Sequence, residues 1–354
     1  MPLDPSALID GPRGRRLCLE VLLEGARRAD TPETREAVQA AFWAAHGRER
    51  GASVLLSFTD GTEPFVEPEV SPRAAAAALA ALPVPAMTSQ TLAHALWQAV
   101  DEAAYWQPPS GMDELAAAPE MRPVLRRMAD GIVRSGLVEW WASPFAREHQ
   151  ADVAWEEEPF RAVDPTRILP EWRADMAADE LRFAGSTGVS GPWWSTPPFP
   201  LPRTTRLGER GPLGLSFVED SFGWLSARSR RVDPPAGDVI EIDGPEAWAA
   251  LCLRHPLVVT ASRRTVWDWT TGRDGVWVIP DWAAVARAAV GVHLTVTGYL
   301  AGAGRIIDLG DGGASTIAGW VPDETFWFRN PVDVGPEERW VAEHPMGVDR
   351  WHPA

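Results

Sequence analysis

Apolar residues recur every three or four positions through the first half of the chain and at alternate positions beyond about residue 192. The first spacing buries one stripe of a helix, the second one face of a strand. Leu92, Leu96, Ala99, Ala103 and Trp106 predict a helix over 91–106, capped by Thr88 or Ser89 and stopped by Pro108-Pro109. A second helical run over 113–134 is interrupted at Pro119 and Pro123, whose rings remove an N–H and crowd the preceding turn. Pro72 suits the first turn of a third, alanine-rich helix. Short strands are predicted at 53–58 and 138–141.

Beyond Pro192 the pattern predicts strands at 213–219, 224–232, 238–242, 275–279, 292–297, 315–320 and 325–328. Two helices interrupt them. One spans 245–254, with Asp243 as cap and Pro245 in its first turn, and the other spans 280–289. Many short strands without βαβ alternation point to an α+β protein. The division predicted is a helix-rich domain over 1–158, a linker over 159–192 with one helix at 171–183, and a Trp-rich, mostly antiparallel mixed α+β domain over 193–330. Residues 331–354 are expected to drape over the surface as a tail. Twelve of the 19 tryptophans lie after Pro192, and tryptophan at strand positions is more often core than a binding wall. Trp193, Trp194, Trp267 and Trp269 therefore read first as core.

The length of 354 residues is enough for two domains. The formal charge is −16, and all 33 cations are arginine. Without lysine, a P-loop amine and a Schiff base are both excluded. The acidic balance disfavours a nucleic-acid partner, although it does not forbid a local arginine pocket. Cys18 and Cys252 stand alone, which suits a reducing compartment. Arg13, Arg15 and Arg16 ahead of Leu17-Cys18-Leu19 imitate a signal peptide, but Glu20 and Glu24 break the apolar run. With no run of ~18 apolar residues, no membrane partner is expected and a cytoplasmic location is. No metal motif occurs, and Asp308 to Gly313 reads as a turn before it reads as a cation loop.

The remaining chemistry is one of hydroxyls, arginines, carboxylates and aromatic surfaces in the second half. Arg206 precedes the run Gly211-Pro212-Leu213-Gly214-Leu215-Ser216-Phe217-Val218-Glu219 that leads to Trp224. Ser262-Arg263-Arg264 and Asp323-Glu324 follow. The Gly-Pro-x-Gly-Leu-x-Phe-x-Glu run, Trp282-Ala-x-Val285-Ala entering Gly291-Val-His-Leu, and Gly319-Trp320 resemble, in that order, a loose set of bacterial and phage proteins with an ADP-ribosyltransferase-like fold. The full chain also resembles uncharacterised actinobacterial proteins with the same Trp-rich block. The transferase resemblance covers about residues 190–330 and implies cleavage of the nicotinamide–ribose bond of NAD, as a transferase or a glycohydrolase. It implies Arg206 as anchor of the dinucleotide, Ser216 as the hydroxyl that orients the ribose, and Glu324 as the catalytic carboxylate. Arg263, Arg264 and Ser262 would take the phosphates, and Trp224 would flank the nicotinamide. The chain departs from that pattern twice: it lacks the Ser-Thr-Ser triplet, and Asp323-Glu324 replaces a Glu-x-Glu pair. Adjacent strand residues point to opposite faces, so only one of that pair can serve.

Each candidate also has a plainer reading. Arg206 reads as an ion-paired surface residue, Ser216 as a small strand residue, Asp323-Glu324 as a turn entering a strand, and Arg263-Arg264 as a solvated loop. The alternative function is a non-enzymatic, immunity-type acidic protein that engages a basic protein partner, since a large net charge steers such encounters.

Overall fold

A computed structural model describes residues 3–50, 66–156, 163–186, 191–219, 223–343 and 351–354. The chain is α+β, with helices concentrated early and strands late. The first half supplies α1 (Pro5–Asp10), α2 (Pro12–Ala29), α3 (Pro32–His46), α4 (Pro72–Ala81), α5 (Ser89–Asp101), α6 (Gly111–Ala117) and α7 (Arg122–Arg134). Then come β1 (Gln150–Trp155), α8 (Pro165–Phe183), β2 (Arg203–Gly208), β3 (Gly211–Pro212), β4 (Ser226–Asp233), β5 (Val239–Ile242) and α9 (Pro245–Arg254). β6 (Pro256–Val258), α10 (Thr260–Thr271), β7 (Val276–Pro280), α11 (Trp282–Val285), β8 (Gly291–Leu294) and α12 (Val296–Gly302) follow. The chain closes with β9 (Ile307–Gly310), β10 (Gly313–Ser315), β11 (Glu324–Trp327), β12 (Val332–Ala342) and β13 (Trp351–Pro353).

The main sheet runs β13-β12-β4-β1-β2-β11-β8-β5, with β3 paired to β2. Every pair in it is antiparallel except β5 with β8. A second sheet, β6-β7-β10-β9, is parallel only between β7 and β10. One contiguous apolar cluster joins Leu17, Val21 and Leu96 of the helical half to Trp248, Trp282, Tyr299 and Trp320 of the sheet half. Of the four tryptophans read as core, Trp267 is fully buried, Trp193 and Trp194 are half-buried and Trp269 is exposed; Trp248, Trp277, Trp282, Trp320 and Trp327 are also fully buried.

α2 lies at the centre of the helical half, and two of its arginines, Arg13 and Arg16, are buried, while Arg27 and Arg28 in its last turn are exposed. Arg13 pairs with Asp113 at 2.6 Å, and Arg16 pairs with Glu20 at 2.7 Å and Asp113 at 3.3 Å. The Glu20 that breaks the apolar run is thus a buried counter-ion. Among the described residues no helix is long and apolar enough to cross a membrane.

Several local expectations hold. α5 is capped by the Thr88 hydroxyl, the 113–134 run breaks at Pro119, Pro72 opens α4 behind Ser71, and α9 spans 245–254. Others do not. Residues 138–141 enter a 3-10 turn, with Trp141 buried and Trp140 half-buried. Residues 213–215 form a 3-10 turn, because Pro212 and Gly214 interrupt strand pairing and the Gly214 N–H donates to Thr205 Oγ1 instead. The strand expected over 292–297 ends at Leu294, where Thr295 caps α12 by accepting from the Gly298 N–H. α9 begins at Gly244 with no side-chain cap, so Asp243 is not its cap. Residues 315–320 leave β10 at Ser315 and turn through Gly319 at φ 76°. α8 starts at Pro165, six residues before the predicted 171, and carries Pro170 inside it. The expected surface tail instead forms β12 and β13, with Trp340 and Trp351 buried. The strand predicted at 53–58 lies outside the described residues.

Candidate functional site

A cleft of about 720 Å³ opens where two neighbouring strands separate. β1 stays paired with β4 from Gln150 to Trp155, but it pairs with β2 only at Gln150 with Arg206 and Ala151 with Thr205. The cause is readable in the chain ahead of β2. Pro197, Pro198, Pro200 and Pro202 lack the N–H groups that a longer ladder requires. Asp152 to Trp155 therefore form one wall and Phe199 to Thr204 the other.

Glu324 enters this cleft from β11, lying opposite Thr205 of β2. Its side chain is only 10% exposed, and its single described cation is Arg203 at 3.5 Å. Burial pushes the carboxyl up to about 7 against the pull of Arg203. Asp152 lines the cleft as well and is pushed up to about 6 by burial, although Arg230 stands 3.3 Å away. Arg230 also holds Asp333 at 2.6 Å. The cleft thus holds two carboxyls that titrate near neutrality, two arginines and the rings of Phe199 and Trp155. That set can bind an anion, stabilise a developing cation and move a proton.

Among Arg206, Ser216 and Glu324, only Glu324 lines the cleft. Arg206 is three residues from Arg203 along the strand, an odd separation that turns it to the opposite face. There its backbone N–H donates to Asp323 Oδ2 at 2.9 Å, its Nε lies 3.4 Å from Asp323 Oδ1, and its guanidinium covers Trp140. Ser216 ends the 3-10 turn, its N–H bonded to the Leu213 carbonyl, while its neighbours Phe217 and Val218 face the cleft. The structure therefore joins Arg206 to Asp323 and separates both from Glu324.

The three candidates on α10 are engaged elsewhere. Glu180 of α8 accepts from the Ala261 and Ser262 N–H groups and from the Ser262 hydroxyl at 2.6 Å, closing the start of α10. Arg263 is completely buried and donates to Ser262 Oγ and the Trp194 carbonyl. Burial lowers it to about 10. Arg264 donates to the Ser186 carbonyl at 2.5 Å. None of the three lines the cleft, and a helix stands where a solvated loop was the plainer reading. Trp224 stacks on Trp155 at 4.5 Å, behind the cleft wall.

Besides Asp152 and Arg230 of the cleft, three groups lie outside the sequence reading of the site. His293 of β8 is buried between Glu241, 2.6 Å from Nδ1, and Asp323, 3.6 Å from Nε2. Burial alone would lower it, but those two carboxylates raise it above its ordinary value. Asp323 itself stands at φ 60°, and Glu324, the next residue, points to the other face. Arg203 is indistinguishable from Arg206 in the sequence, and only strand parity separates the two. Glu219 belongs to the Gly-Pro-x-Gly-Leu-x-Phe-x-Glu run, which does not mark it as a site. Burial drives its carboxyl well above the ordinary range, with Tyr105 as hydrogen-bond partner and Glu324 close enough to add to the rise.

Comparison with protein-family models, curated proteins and solved structures returned no match.

Proposed function

We propose that the cleft binds a phosphorylated N-glycoside, NAD first among them, and that Glu324 faces the sugar carbon at which the glycosidic bond breaks. The observation that carries this reading is the placement of Glu324, a buried carboxyl lining the cleft with Arg203 beside it. In this reaction the C1′–N bond breaks and its electron pair leaves with nicotinamide, neutralising the pyridinium. Positive charge then develops on the ribose, and an ionised Glu324 stabilises it. Water, or an acceptor's nucleophile, adds to C1′ and gives up its proton to the same carboxylate. Arg203 and Arg230 offer forked donors to phosphate oxygens, while Phe199 and Trp155 offer apolar ring faces. Arg203 takes the anchoring part that the family resemblance gave to Arg206.

The test is calorimetry with NAD followed by a nicotinamide-release assay on the wild type and Glu324→Gln. Binding with release, and release reduced at least 100-fold in the variant, is the expected result. Neither heat nor release removes the reading; release that the substitution leaves unchanged removes the assignment of Glu324. The net charge of −16 favours a second reading, a non-enzymatic partner of a basic protein.

A further inference from the structure

The separation of β1 from β2 leaves hydrogen-bonding groups as well as space. The Glu156 N–H donates to the Ser226 carbonyl of the β4 side, so residues 152, 154 and 156 turn their backbone groups toward β4. Alternation then turns those of Ala151, Val153 and Trp155 toward β2. On β2, the Leu207 N–H donates to the His149 carbonyl, so Arg203, Thr205 and Leu207 turn theirs toward β1. Ala151 meets Thr205 in the ladder, and the next hydrogen-bonded pair would be Val153 with Arg203. It is absent from the ladder. Among the described residues, no partner stands against the cleft-facing backbone of Val153, Trp155 or Arg203. An unpaired edge is a template for another strand, and here it lies in the interior of a sheet rather than at its rim.

We propose that an extended, basic peptide segment of a partner protein adds to this edge of β1, pairing with Val153 and Trp155. Two features argue for that occupant. Backbone pairing of this kind fixes an extended chain and leaves specificity to alternate side chains. Those side chains would meet Trp155 and Phe199 together with Asp152, Asp333 and, above about pH 7, an ionised Glu324, an excess of one acid over Arg203 and Arg230 on a chain of charge −16. The inference goes beyond the glycosidic reading and stands without it, since strand addition needs no chemistry at Glu324.

The experiment uses an acetylated, amidated heptapeptide of alternating valine and arginine as probe. It is compared with a version carrying glutamate for arginine and with two versions N-methylated at alternate residues, one for each edge of the peptide. Binding is read by calorimetry, and backbone hydrogen exchange is followed at Val153 and Trp155. The expected result is slowed exchange at both amides, with affinity at least tenfold weaker for the glutamate peptide and for one N-methylated version. Because the N-methyl groups sit on the probe, folding of the protein is untouched. Equal affinity of both N-methylated versions with the parent, failure of the parent to bind, or slowed exchange only outside β1 overturns the proposal. Nicotinamide release is assayed in the same samples. Absent release with protected β1 amides removes only the enzymatic reading, and release with unprotected amides removes only this one.

Discussion

Asp113 in the helical half and Glu324 in the cleft are both buried carboxyls paired with arginine, yet they sit in opposite electrostatic states. Burial alone would raise Asp113, but Arg13 and Arg16 outweigh it and hold the carboxyl below its ordinary value. Glu324 has one described arginine, Arg203, which is 43% exposed and 3.5 Å away, and there burial wins. Two close, buried cations make a charge part of the scaffold; one distant, solvated cation leaves it free to titrate. The sequence type is the same in both places, and the number and burial of the partners decide the difference.

The largest expected effect is in the helical half. Asp113→Asn leaves Arg13 and Arg16 buried with less compensating charge, and a loss of about 3–5 kcal/mol is expected from removing one member of a buried pair. Denaturant unfolding measures it. Because the folded carboxyl titrates below its unfolded value, its contribution is complete above the unfolded value near 3.8 and disappears as pH falls through the folded one. The gap between variant and wild type should close in acid.

Glu324→Gln should move stability the other way. The folded carboxyl titrates near 7 against an ordinary 4.5, so the folded state prefers the neutral form. That preference is complete below pH 4.5 and is lost as pH rises through 7. Relative to wild type, the variant should gain stability across this window and hold the gain at pH 8, up to about 3 kcal/mol by linkage. Thermal melts from pH 4 to 8 check it; a variant less stable at pH 8 than the wild type contradicts it. Activity should fall as stability rises.

A smaller effect sharpens the contrast. Removing Arg203 takes away the larger of the two attractions that favour ionised Glu324, the other being a backbone hydrogen bond at Val321, so Arg203→Ala should shift the pH midpoint of nicotinamide release upward. No shift would mean that Arg203 and Glu324 do not interact.

The fold class was legible because periodicity survives wherever the buried face is apolar, as in α5, α7 and α9. It fails where charge is buried. α2 is not read as a helix because its interior positions include Arg13, Arg16 and Glu20, and α10 reads as a loop because its buried face carries Ser262 and Arg263 beside Val266 and Trp267. β12 reads as a surface tail because its positions are mostly exposed and polar, as suits a strand near the sheet's edge. For the cleft, Glu324 was legible as the acid opening a late strand. Its arginine was not, because choosing Arg203 over Arg206 needs the register between β2 and β11. Asp152 was not legible either, since nothing in its own segment announces that β2 will leave β1 at that level.

Burial sets the ionisation of the cleft carboxyl Glu324, and a ligand against it should sense that charge. Carbon-detected NMR titration of Glu324, assigned through Glu324→Gln and repeated with NAD, tests this directly. A midpoint near 7 is expected without ligand, moving downward when the nicotinamide cation lies against it. A midpoint between 4 and 5 that NAD leaves in place would contradict both the placement of the charge and the reading built on it.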